Sequence, residues 1–154
     1  MIEINVLKRF LIIKILDDRI NKAQIEEKLD NSIRNLFQNQ EDIFEFTGES
    51  GATEWNLAHH LAFEIQKEFP DYQHDIELTK RTSGFKRPDI VIHKRGNHNS
   101  NLLVVEVKYR RSIKEDIDKI RKYWFKKPLF YRFGASIKLN NPNSFDTFII
   151  ENHP

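Results

Sequence analysis

Two short runs rich in β-branched and apolar residues, 88–93 and 101–109, constrain most strongly how this chain can fold. Gly96 and the polar residues after it turn the chain between them. A weaker alternation of apolar and polar residues lies just before them, at residues 73–80. Three consecutive strands with short connections predict an antiparallel meander.

Helical periodicity lies on both sides of these predicted strands. Residues 54–69 carry one broad apolar stripe that stops at Pro70, and residues 22–37 carry another. Residues 5–16 and 113–124 are predicted as further helices. The N-terminal part of the chain is therefore expected to be mostly helical.

The remaining segments are short. Ile43, Phe44 and Phe46 predict an extended piece, followed by a loop at residues 47–51. Strands are expected at residues 129–137 and, as a final edge strand, at 146–151.

The order helix, three strands, helix, strand predicts an α/β (α+β) fold in which helices flank a mixed β-sheet. The length suits one domain, 1–154. Within it we expect a helical N-terminal segment at 1–50, a core at 51–140 and a C-terminal strand and tail at 141–154.

Composition narrows the classes of function. There is no cysteine, so disulfide frameworks and thiolate zinc sites are excluded. Residues 1–79 carry a net charge of −8 and residues 80–154 a net charge of +10. The basic half could contact a polyanion, although on charge alone a solvated surface is favoured. The start of the chain lacks the pattern of a signal peptide and no stretch is apolar enough to span a membrane, so a cytoplasmic location without membrane contact is expected.

The chemistry is concentrated in the run LLVVEVKY. Side chains alternate across a strand, so Val104, Glu106 and Lys108 share one face. Asp89 opens the preceding predicted strand and approaches Glu106 if the two strands pair. Two converging carboxylates raise each other's pKa, and a hard cation such as Mg²⁺ would resolve the conflict.

The pair Pro88-Asp89 followed by Glu106-Val107-Lys108 resembles the signature of the PD-(D/E)XK nuclease superfamily, whose restriction-endonuclease-like fold has the predicted order of elements. The resemblance covers residues 54–137 by element order but only a few positions by identity.

The resemblance implies a role for each matching residue. Asp89 and Glu106 would bind Mg²⁺, with Mn²⁺ as a substitute, and the backbone carbonyl of Val107 would add a ligand. Lys108 would assist the attacking water. Glu54, on the inward stripe of the preceding helix, is the candidate for a further acidic site residue, which would reach a second metal ion or its water shell. An acid in a first helical turn is equally expected from the helix dipole alone.

The resemblance also implies nucleic acid as the partner, with DNA favoured over RNA, and an endonuclease that acts as a homodimer or in a larger complex. Basic residues flank the motif and are the candidate nucleic-acid contacts: Lys86, Arg87, Arg110 and Arg111. A catalytically inactive nucleic-acid-binding or assembly module on the same fold is the alternative.

Four further features have a structural interpretation. Trp55 and Trp124 lie on apolar helical stripes and are predicted in the core, with platforms for stacked bases as the less favoured alternative. The histidines show no recognised zinc spacing. A second E-x-K triplet, at residues 26–28, lies on a predicted helix and is interpreted as a solvated face. Lys119, on the helix after the motif, is either an additional polar site residue or an exposed helical position.

Overall fold

The computed structural model describes residues 20–46, 51–77, 86–141 and 143–153. The helices in these ranges are α1 (Lys22–Asn39), α2 (Ile43–Phe46), α3 (Gly51–Glu68) and α4 (Lys114–Lys119), which a π-helical segment (Ile120–Trp124) continues. The strands are β1 (Gln73–Ile76), β2 (Ile90–Lys94), β3 (Asn97–Tyr109), β4 (Phe133–Asn141) and β5 (Ser144–Glu151). The helix predicted at 5–16, most of the loop predicted at 47–51 and the end of the strand predicted at 73–80 lie outside the described residues.

The described strands form one mixed sheet in the order β1-β2-β3-β4-β5. The first three pair antiparallel, as the meander prediction required. β3 and β4 then pair in parallel, connected by α4 and the π-helical segment, and β5 returns antiparallel at the edge. The predicted mixed α/β class and the final edge strand are confirmed.

Helices α1 and α3 cover one face of the sheet. Asn21 caps α1 by accepting a hydrogen bond from the Gln24 amide, and the Gln24 side chain accepts one from the Asn21 amide in return. The buried stripe of α1 packs against α3 and β5. Residues of α3 and of the inner sheet face complete the larger core, among them Leu57, Leu61, Ile65, Ile92, Val105, Val107 and Ile137.

The opposite face is covered by α4 and the π-helical segment. A second core cluster there contains Val91, Val104, Ile117, Ile120, Trp124, Leu129, Tyr131 and Ile150. Val104 thus faces α4, whereas Val105 and Val107 face α3. This alternation places Glu106 and Lys108 on the same face as Val104, as the pattern predicted, and α4 covers that face.

The structure corrects three local predictions. Residues 43–46 are helical, not extended, since Ile43 donates its amide to the Gln40 carbonyl and buries its side chain. Residues 97–100 belong to β3, so the turn consists of Arg95 and Gly96 alone, the latter with a φ of 78° that favours glycine. β4 begins at Phe133 rather than at residue 129, because the preceding residues form an irregular connection.

Candidate active site

The carboxylate of Asp89 meets strand β3 where the predicted motif lies. Ile90 pairs with Val105, so Asp89, one residue earlier, lies level with Glu106. The Val107 amide donates a hydrogen bond of 2.6 Å to Asp89 Oδ2. Burial raises the pKa of Asp89 above its usual value, against the lowering effect of this hydrogen bond and of nearby Lys108. The antiparallel pairing therefore brings together the two carboxylates that the sequence singled out.

Glu106 is the most deeply buried charged residue of this arrangement, with no exposed surface. Burial, and then the neighbouring Asp89 carboxylate, raise the pKa of Glu106 to about 8. The Lys119 ammonium lies 2.8 Å from each Glu106 oxygen. It donates a hydrogen bond to Oε2, whereas Oε1 is buried and accepts none. The buried Glu106 carboxylate is thus ion-paired with Lys119 through both oxygens, although only Oε2 accepts a hydrogen bond.

Lys108 lies between two carboxylates that come from opposite sides of the sheet. Its ammonium is 4.0 Å from Glu54 of α3 and 3.7 Å from Asp116 of α4. These separations are longer than direct hydrogen bonds, and the side chain keeps some exposure. An ammonium held in this way remains free to reach a further anion.

Glu54 reaches the end of β3 from the first turn of α3. It accepts hydrogen bonds from the Tyr109 amide, at 3.2 Å, and from the Arg111 guanidinium. Burial disfavours its ionised form, but Arg111, the Tyr109 amide and Lys108 together lower the pKa of Glu54 below its usual value. Glu54 is thus an ionised carboxylate at the site, with an arginine as its closest partner.

The site contains two residues of α4, Asp116 and Lys119. The sequence analysis did not single out Asp116, and it left open whether Lys119 is a site residue or an exposed helical position. Asp116 is buried, accepts a hydrogen bond from Ser136 and has a pKa that burial raises, against the lowering effect of Lys108. Lys119 binds Glu106 and also donates to the Arg87 carbonyl, at 3.2 Å. Asp116 lies four residues before Ile120 on the inward stripe of the helix, and Lys119 lies three residues after Asp116, a spacing that could have identified Asp116.

The basic residues predicted to contact nucleic acid surround this site but already have protein partners. Arg111 is held by Glu54, and Arg110 donates to the Asn140 carbonyl. Arg87 lies 3.9 Å from Glu77, and Lys86 lies over the Tyr123 ring. All four are at or near the surface on the side of the sheet where β3 ends.

The carboxylates fit a hard cation in part. Among the described residues, no three His, Cys, Asp or Glu side chains are grouped so as to hold a metal ion by themselves. Mg²⁺, however, is commonly bound by one or two carboxylates, with water and substrate phosphate completing its shell. Asp89 and Glu106 supply that pair, since the two carboxylates lie close enough for the charge of Asp89 to raise the pKa of Glu106. Oε1 of Glu106 accepts no hydrogen bond, although the Lys119 ammonium lies 2.8 Å from it.

Two other sequence predictions are resolved by burial. Trp124 is fully buried, as predicted, whereas Trp55 is 52% exposed, so its assignment to the core is wrong. In the second E-x-K triplet, Glu26 and Glu27 are exposed on α1, as expected of a solvated face. Lys28 differs from that expectation because it donates to the Glu68 carbonyl.

Comparison of this chain with family models, with curated proteins and with solved structures found no match. Within the described ranges, no helix is both long enough and apolar enough to cross a bilayer.

Proposed function

We propose that this chain is a metal-dependent nuclease of the PD-(D/E)XK type that hydrolyses phosphodiester bonds of nucleic acid, with DNA as the favoured substrate. The observation that supports the proposal is the convergence of the buried Glu106 carboxylate and the Asp89 carboxylate where β2 and β3 pair, beside Lys108. Such an arrangement costs folding stability, and a cation bound by both carboxylates would offset that cost.

Each residue has a definable part in hydrolysis. Asp89 and Glu106 would hold Mg²⁺, which when bound activates water and neutralises phosphate charge. Lys108, held loosely between Glu54 and Asp116, orients the attacking water and stabilises negative charge on the phosphate. The water oxygen forms a bond to phosphorus, the bond from phosphorus to the leaving sugar oxygen breaks, and a proton passes to that oxygen.

A specific contact favours a second candidate, a nucleic-acid-binding module that does not cut. The Lys119 ammonium lies within 2.8 Å of both Glu106 oxygens and balances that carboxylate with the protein's own charge. Arg111 does the same for Glu54. If these cations are permanent partners of the carboxylates, the fold would bind nucleic acid without hydrolysing it.

The two candidates are separated by cleavage assays on the full chain. Single-stranded, duplex and branched DNA, and RNA, are incubated with Mg²⁺, Mn²⁺ or EDTA. The variants are Asp89→Asn and Glu106→Gln, with Glu27→Gln in the exposed triplet of α1 as the matched control. Metal-dependent cutting by the wild type and by the control, lost in both site variants, is the expected result. Binding without cutting would favour the inactive module, and cutting that resists EDTA would contradict the metal-dependent mechanism.

A further inference from the structure

Aromatic rings follow one another along the exposed side of α3. Trp55, His59 and Phe63 are spaced four residues apart, which places them on one helical face. The Trp55 and His59 rings stack with centroids 5.6 Å apart and an angle of 20° between their planes. The His59 and Phe63 rings meet edge to face at 5.2 Å. We call Trp55, His59 and Phe63 the aromatic row.

The two large rings of this row are displayed to solvent. Trp55 is 52% and Phe63 50% exposed. Burying such rings in the core would stabilise the fold by a few kcal/mol each, so their exposure is unfavourable unless something else covers them. A ligand that presents flat aromatic surfaces is one such cover.

The aromatic row begins at the candidate active site. Trp55 lines a pocket of about 190 Å³ together with Glu54, Ala58 and Asp89, and the far wall is formed by the end of β1. A strand whose phosphate lies at Asp89 would therefore have its neighbouring bases beside Trp55. The row extends about 12 Å along the helix axis, enough for two or three bases.

The charge around the row is compatible with a polyanion. Two carboxylates that line the pocket beside Trp55 each lie within 4 Å of an arginine: Glu54 with Arg111, and Glu77 with Arg87. A phosphate backbone passing there would meet carboxylates that are paired with arginines, and exposed guanidinium groups, rather than unpaired carboxylates.

We propose that the aromatic row binds unpaired bases of the strand being cut, so that the substrate is single-stranded or locally unpaired nucleic acid. This inference rests on the proposed function. Duplex bases expose only their edges, whereas unpaired bases expose faces that stack on Trp, His or Phe. A protein partner fits less well, because two half-exposed rings offer roughly 200 Å² against the roughly 800 Å² that each side of a stable protein interface buries.

The chain's two tryptophans permit a direct test, since Trp124 is fully buried and Trp55 is exposed. The full chain is titrated in EDTA with a short oligothymidylate and with the corresponding duplex, while tryptophan fluorescence and anisotropy are followed. We expect the single strand to quench the Trp55 emission. We also expect Trp55→Ala and Phe63→Ala each to weaken single-strand binding about tenfold. Trp55→Tyr keeps an aromatic ring at this position and should bind the single strand like the wild type.

Phe148→Ala is the matched control, because Phe148 is 48% exposed but lies on β5, on the sheet face opposite α3. It should bind like the wild type. Equal single-strand binding by the wild type and both alanine variants would overturn the proposed role of the aromatic row while leaving the nuclease proposal intact. Preference for the duplex, or self-association that depends on Trp55, would also overturn it. Single-strand binding through Trp55 without any metal-dependent cutting would support base binding by the aromatic row and contradict the nuclease proposal.

Discussion

At the scale of single residues, the site is defined by how far each charged group is removed from water. Glu106 is fully buried and has a strongly raised pKa, whereas Glu54 is ionised because an arginine and a backbone amide hold it. Lys108 is partly exposed and lies between Glu54 and Asp116. Different environments thus shift the pKa values of two chemically identical side chains in opposite directions.

The buried Glu106 predicts a pH-dependent stability difference. The folded protein keeps the Glu106 proton to about pH 8, whereas the unfolded chain loses it near pH 4.5, so stability falls as the pH rises through this window. Glu106→Gln removes that penalty. In EDTA the variant should be more stable than the wild type by roughly 2 to 4 kcal/mol near pH 8 and similar to it near pH 4. Urea unfolding at several pH values measures this, and a constant difference across the range would contradict it.

Lys108 predicts a loss of activity without a loss of stability. Its contacts with Glu54 and Asp116 are long and partly exposed, so they contribute little to folding. Lys108→Ala should lower kcat about 100-fold or more while the melting temperature changes little. Single-turnover cleavage and thermal melting are compared on the same preparation. Wild-type rates in this variant would exclude Lys108 from the chemistry.

At the scale of elements, the two layers of helices perform different tasks. α1 and α3 provide the larger core, and α3 also delivers Glu54 to the end of β3. α4 and the π-helical segment seal the opposite face and deliver Lys119 to Glu106. The site therefore depends on elements from both faces of the sheet.

The contact between β4 and the π-helical segment predicts an intolerance of side chains at Gly134. A Cβ there would lie 2.4 Å from Cγ2 of Ile120, the residue after Lys119. Gly134→Ala should destabilise the fold by about 1 to 3 kcal/mol, because the helix must move away from the sheet. Adding Ile120→Ala should make the combined cost smaller than the sum of the single costs. Additive costs in urea unfolding would show that a Cβ at residue 134 and Cγ2 of Ile120 do not clash.

Helix α1 is predicted to be part of the core rather than an appendage. Leu29 is fully buried in the larger cluster, whereas Glu27 of the same helix is exposed. Leu29→Ala should destabilise the fold by about 2 to 5 kcal/mol, and Glu27→Gln should change it by less than about 0.5 kcal/mol. A cooperative unfolding curve that is unaffected by Leu29→Ala would place α1 outside the folding unit.

At the scale of the whole molecule, metal binding should be linked to folding. A cation that binds only the folded chain stabilises it by about 2.7 kcal/mol at 100 times its dissociation constant. Mg²⁺ or Mn²⁺ should therefore raise the melting temperature of the wild type but not that of Asp89→Asn. Equal shifts in both proteins would indicate that the ion binds elsewhere.

Local periodicity was sufficient to predict much of the fold. Long apolar stripes predicted α1 and α3 to within a few residues at each end, and alternation in β3 assigned Glu106 and Lys108 to one face. Short segments were less predictable. The helical residues 43–46 and the irregular start of β4 have too few residues for a period to be recognised, so their tertiary contacts decide their conformation.

The sequence by itself determined that Glu106 and Lys108 share one face of β3, because a period of two is a property of the backbone. Only the tertiary structure decided which side chains from other elements contact these residues. It brought Lys119 and Asp116 across from α4 and Arg111 onto Glu54. It also turned Trp55 outward from a helix whose stripe seemed to include it. The rotation of a helix about its axis is set by the surface on which it packs, and that surface is assembled from segments distant in the chain.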